Sequence, residues 1–229
     1  MRRRDLLPLL FPSFPLVVCA QSQALPGQSP ANAVGVYLIP TDAFPERLVP
    51  GIAAALEETL GLRVKAAFWT PAPQMEPFPR TNQYEAEDYL EFAASLAGRL
   101  PESSEQTLCV VMTTRDINSR DQELRFQFVM HDPAAHAAVL SVARMQRRPD
   151  GSAASPELVL ERINKMLLRT IGELKLGWHP TNDPSDLMYA PVMSAEDIDR
   201  MRSSRQLGRP VQKPARPAKP DAPGELQLL

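Results

Sequence analysis

Apolar and polar positions change their spacing several times along this chain, and each change marks an element. Val34–Ile39 is a short apolar run ended by Pro40, which reads as a strand. Ile52–Leu60 is built from strong helix formers and stops at Gly61, the residue best suited to a left-handed cap. Arg63–Trp69 alternates as a half-buried strand does, Pro71–Pro79 is a proline-rich loop, and a second helix is expected over Tyr84–Leu100. Thr107–Met112 then reads as a buried strand. Leu124–Met130 and Ala137–Ala143 read as two more, joined by the turn-forming segment His131–His136.

Ser155, Pro156 and Glu157 supply an N-cap, a first-turn proline and a first-turn acid, and so open a long helix. Leu160, Ile163, Leu167, Ile171 and Leu174 fall on one side of it, whereas Arg169 and Glu173 fall near the opposite side. Strand, helix, strand, helix and then a strand cluster imply an α/β (α+β) fold. Its sheet is mixed and carries an antiparallel edge strand, for which Ala137–Ala143 is the candidate.

The two ends differ from this body. Residues 1–24 have a basic start, an apolar stretch and small residues at Ala20 and Ala24, the pattern of a cleaved export signal. The arginines at 3 and 4 also resemble a twin-arginine signal, and Cys19 resembles a lipoprotein box, so the export route stays open among these and the general secretory one. The expected location is the periplasm or the medium, with no stable membrane span because the apolar stretch is short and broken by prolines. Loss of residues 1–20 removes three arginines and one aspartate and moves the formal charge from −2 to −4, which argues against nucleic acid as a partner. Cys109 is then the sole cysteine, so no internal disulfide can form. From residue 204 to 229 the chain is rich in Pro, Lys and Arg, too poor in apolar residues to order itself. One globular domain over 34–203 remains.

Within the long helix and just after it, Arg169-Thr-Ile-Gly-Glu-Leu-Lys-Leu-Gly-Trp-His179 leads to Asp186-Leu-Met-Tyr-Ala-Pro191. This resembles the site of a metzincin zinc protease, H-E-x-x-H-x-x-G-x-x-H followed by a Met-turn. Other segments are similar to archaemetzincins in the same order. They are Val36–Pro40, Phe44-Pro45, Asn82–Tyr84, Thr114–Asp116, Phe126–Val129 and Leu140–Arg144. The stretch Leu187–Tyr189, then Met193–Ile198, resembles the Met-turn and final helix cap of matrixins. The resemblance implies a zincin-like fold with Met188 packed beneath the site.

It also exposes departures. Arg169 stands at the first histidine, Thr170 at the glutamate and Glu173 at the second histidine, leaving His179 as the one matching ligand. The motif glycine falls on Leu176, with Gly177 beside it to make the bend, and the path from His179 to Met188 is about one residue longer than in the family. Archaemetzincins hold a second zinc with later cysteines, and here Pro180 follows His179 with no cysteine after Cys109.

A catalytic zinc needs three protein ligands and an open water position, and a nearby guanidinium repels it. Thr170 lacks a carboxylate to take a proton from water. Arg169, Glu173 and His179 are therefore expected either to form a charge cluster in place of the metal or to leave Arg169 and Glu173 as an exposed pair one turn apart. His131 and His136 are read as solvated turn residues rather than metal ligands. The resulting expectation is an exported, catalytically inactive pseudoprotease without a cofactor, whose edge strand takes an extended peptide or protein partner. The alternative is a zinc-dependent metallopeptidase with a rebuilt site that uses His179, Glu173 and a further ligand. A third reading, an envelope protein acting through its tail, rests on residues 204–229.

Overall fold

A computed structural model describes residues 33–203. The expected export signal (1–24) and the tail (204–229) lie outside the described residues.

Strands β1 (Val36–Pro40), β2 (Val64–Ala66), β4 (Leu108–Thr113), β6 (Val129–Asp132) and β7 (Ala137–Ser141) form one sheet in the order β2-β1-β4-β7-β6. Every pairing is parallel except that of β6 with β7. The short strands β3 (Gln83–Glu85) and β5 (Asp116–Asn118) pair separately and in parallel. Helix α1 (Val49–Leu60) joins β1 to β2, α2 (Ala86–Leu96) precedes β4, and α3 (Pro156–Leu176) and the short α4 (Ala195–Arg200) close the fold.

Alternation along the strands builds two cores. Val36, Leu38, Val110, Met112, Ala138 and Leu140 face α1 and α3 on one side. Tyr37, Ile39, Cys109, Val111, Ala137 and Val139 face α2 on the other. A strand with apolar residues on both faces must be covered on both, so β1, β4 and β7 lie inside the sheet.

This corrects the expected edge. The antiparallel edge strand is β6, Val129–Asp132, and Ala137–Ala143 supplies β7, a fully buried strand between β4 and β6. Its own residues explain the placement, because all of Ala137–Ser141 is apolar or small and buried, while β6 carries His131 and Asp132 and is only half-buried. Two other elements are shorter than expected. The Arg63–Trp69 strand keeps only Val64–Ala66, beyond which Phe68 is 88% exposed. The second helix loses Tyr84 to β3 and ends at Leu96, with Gly98 in the left-handed region (φ 72°) soon after.

Candidate functional site

Helix α3 carries the degenerate motif. Its start is set by the Ser155 hydroxyl, which accepts the Leu158 N–H at 3.3 Å. Its end is set by Gly177 at φ 65°, a conformation that costs a side chain steric strain. The bend brings Trp178 back over the helix. There its N–H donates to the Gly172 carbonyl at 3.0 Å, and its indole fills the space where a side chain at 172 would be. A Cβ on Gly172 would lie 2.0 Å from Trp178 Cε3.

The side of α3 away from the sheet is not left to water. Arg162 is fully buried and grips Asp199 of α4 through Nε (2.7 Å) and Nη2 (2.6 Å), while Nη1 donates to the Met145 and Arg147 carbonyls at 2.6 and 2.9 Å. Lys165 Nζ pairs with Glu161 at 2.8 Å and donates to the Ile198 carbonyl at 3.2 Å, near the C-terminus of α4 where a cation is favoured. Such bonds to a charged donor contribute about 1.5–3 kcal/mol each where they replace lost hydration. Arg169 continues this row and donates from Nη1 to the Tyr189 carbonyl, in the turn beside Met188. Burial draws the pKa of its guanidinium down from the ordinary value and the neighbouring Glu173 and Asp186 carboxylates raise it, so it remains a cation at neutral pH. Thr170 is buried, its hydroxyl turned back to the Met166 carbonyl at 2.8 Å. Met188 is fully buried in the core beneath this turn, its N–H donating to Asp186 Oδ1 at 2.7 Å.

The face toward β6 is different. Glu173 Oε1 stands 3.9 Å from His131 Nε2, each side chain about a third exposed. With Arg169, Thr170, Phe126 and Phe128 they line a cleft of about 170 Å³ between α3 and the edge strand. The expected Arg169–Glu173–His179 cluster does not assemble. Arg169 turns to the Tyr189 carbonyl, Glu173 faces His131, and His179 is exposed beyond the bend. The expectation for His131 as a solvated turn residue is likewise replaced, because β6 extends through it and directs its side chain into the cleft. His136, at φ 49°, stays in the turn.

The zinc implied by the resemblance does not fit these residues. A guanidinium, a hydroxyl committed to the helix and one carboxylate replace the ligand and base positions. Among the described residues no group of three His, Cys, Asp or Glu side chains is placed to hold a metal ion.

Two features of this region were not visible in the pattern of residues. Alternation from Val129 puts His131 on the same face, so extending the strand by one residue would have found it. Buried Arg162 and Lys165 gave no such signal, because charges on the second face of a helix look alike whether solvated or covered. Apart from the cleft, Asp42 accepts bonds from Tyr89 and Thr113 at 2.9 and 2.5 Å and pairs with Arg115 at 3.0 Å. This cluster ties α2 to the ends of β1 and β4. Burial holds the Tyr89 hydroxyl well above its ordinary pKa, so it serves as a neutral donor.

No family model and no curated protein matches the sequence. Solved structures do match. A zinc-dependent peptidase from Methanocorpusculum labreanum aligns over 74% of this chain and 94% of its own, with TM-score 0.61 and 22% identity. Archaemetzincin from Archaeoglobus fulgidus, complexed with malonate, aligns over the same shares with TM-score 0.54 and 21% identity. What this chain shares with them is the fold: an archaemetzincin-like mixed sheet with one antiparallel pair, packed against helices.

Proposed function

We propose that this protein is an exported, catalytically inactive relative of the metallopeptidases that binds extended peptides along β6. The observation that carries the reading is the Arg169–Tyr189 bond. The guanidinium joins α3 to the Met188 turn at the position of the first zinc ligand, so the helix and turn are held together by a fixed cation rather than by a metal. With Thr170 committed to Met166, no group stands ready to deprotonate a water there. Peptide docking needs neither. The sheet ends at β6, and since Phe128 accepts from Ser141 of β7, alternation leaves the backbone groups of Val129 and His131 facing outward. Strand addition uses such groups for affinity and adjacent pockets for selectivity.

The test is fluorescence polarisation with a labelled pool of degenerate octapeptides, followed by mass spectrometry of the same pool with zinc added. Binding without cleavage is expected. Val129→Pro, which removes an outward N–H while leaving the bonds to β7, should abolish binding. Cleavage that a chelator stops would overturn the reading.

One observation favours a second reading. His131 and Glu173 are donor types that zinc accepts, they lie 3.9 Å apart, and they share the cleft. A rebuilt metallopeptidase site would use this pair, with His179 outside it. Loss of zinc binding in His131→Ala, with none in His179→Ala, would identify that arrangement.

A further inference from the structure

Beyond the N-terminal end of β6, the cleft opens into a larger cavity of about 540 Å³, within the roughly 300–1,000 Å³ range of ligand sites. Phe126 and Phe128 line both spaces, packed edge to face with centroids 5.1 Å apart. Pro149 and Met193 add apolar wall. The charged groups around it are three arginines, Arg144, Arg147 and Arg148, against two acids, Asp116 and Glu196. Asp116 is taken by Arg144, through Nε at 3.0 Å and Nη2 at 2.5 Å. Arg147 meets only a neutral partner, the Gly151 carbonyl at 3.2 Å, and so keeps its charge, while Arg148 lies in the field of Asp150. The loop is anchored as well, because buried Arg162 holds the Met145 and Arg147 carbonyls.

Strand polarity says which end of a ligand arrives here. Antiparallel pairing is somewhat more stable per residue than parallel pairing. A peptide antiparallel to β6 passes Asp132 first and Val129 last, and then, at about 3.3 Å per residue, runs past Phe128 with its C-terminal end leading. A positive, apolar-walled cavity at that end suits a chain terminus.

We propose that this cavity receives the last residue of the bound peptide, its apolar side chain against Phe126, Phe128 and Met193 and its α-carboxylate at Arg147 and Arg148. The inference rests on the peptide-binding reading above and adds to it a preference for free C-termini.

The experiment compares three labelled octapeptide pools, degenerate except at the last position: one ending in Leu with a free carboxylate, one ending in Leu amide, and one ending in Glu amide. Each is titrated against the whole protein and against Arg147→Glu/Arg148→Glu. Both arginines are exposed, and unchanged thermal melts of the double variant would verify that it folds. The free acid should bind about tenfold more tightly than the Leu amide, and the double variant should remove that preference. Equal binding of acid and amide overturns the inference and leaves the cleft reading standing. Glu amide binding as well as the free acid also overturns it, by assigning the arginines to a side chain. A preference that persists in the double variant overturns the role of the two arginines. If no pool binds, the inference and the reading beneath it both fall.

Discussion

Helix α3 has two unlike borders. Toward the Met188 turn and α4 it is closed by cations: Arg162, Lys165 and Arg169 each donate to a backbone carbonyl of another segment. Toward β6 it is open, with a 3.9 Å His131–Glu173 approach across a cleft. The first border replaces the metal as a fastener, and the second keeps the surface on which a peptide could lie. A site can thus lose its chemistry and retain its architecture, because the two depend on different atoms. Fixed guanidinium groups satisfy carbonyls that would otherwise need water. The cleft needs only a strand edge with no partner.

The contrast can be broken most forcefully at Arg162. Arg162→Ala strands the Asp199 carboxylate and two carbonyls, and should cost about 3–5 kcal/mol in urea unfolding. A loss below about 1 kcal/mol would mean that the closed border is not held by its cations. Next is Gly172→Ala. The added methyl collides with the Trp178 ring, which must leave its seat, so a loss of about 1–3 kcal/mol and a red shift of tryptophan emission are expected.

Much of this architecture was legible from the residues alone, and the reason is periodicity. Val34–Ile39 and Thr107–Met112 are apolar on both faces, Gly61 and Gly177 end their helices as expected in the left-handed region, and Ser155 caps α3. The edge strand was misassigned because apolar content alone does not order strands within a sheet. Ala137–Ser141 is buried because β6 covers its flank, a long-range fact. The site was legible as a loss, since Arg169 and Thr170 stand at ligand and base positions. Its new partners were not. Arg169 meets Tyr189 and Glu173 meets His131 across 20 residues or more, through turns whose course no local pattern fixes.

A pH series sharpens the closed border. Burial alone would raise the Asp197 pKa, yet it is lowered overall because the Met193 N–H, the Ser194 hydroxyl and the Arg200 side chain favour the carboxylate. A depressed pKa contributes stability that is present above the unfolded value of about 4 and is lost as pH falls through the lower folded value. The stability gap between the protein and Asp197→Asn should therefore be constant near neutral pH and close on acidification below about pH 4. A gap that widens on acidification would contradict the assignment. The smallest effect belongs to the open border. Glu173→Gln disturbs a pair that is about a third exposed, and should change stability by less than about 0.5 kcal/mol. A loss above about 2 kcal/mol would show that the cleft is a sealed joint.

The central claim is that a cation fastens α3 to the Met188 turn in place of zinc. Elemental analysis of the purified full chain, after equilibration with excess zinc and gel filtration, tests it most directly. Zinc far below one equivalent is expected, with an unchanged melting temperature after chelator treatment. One tightly held equivalent, lost on chelation together with stability, would contradict the claim.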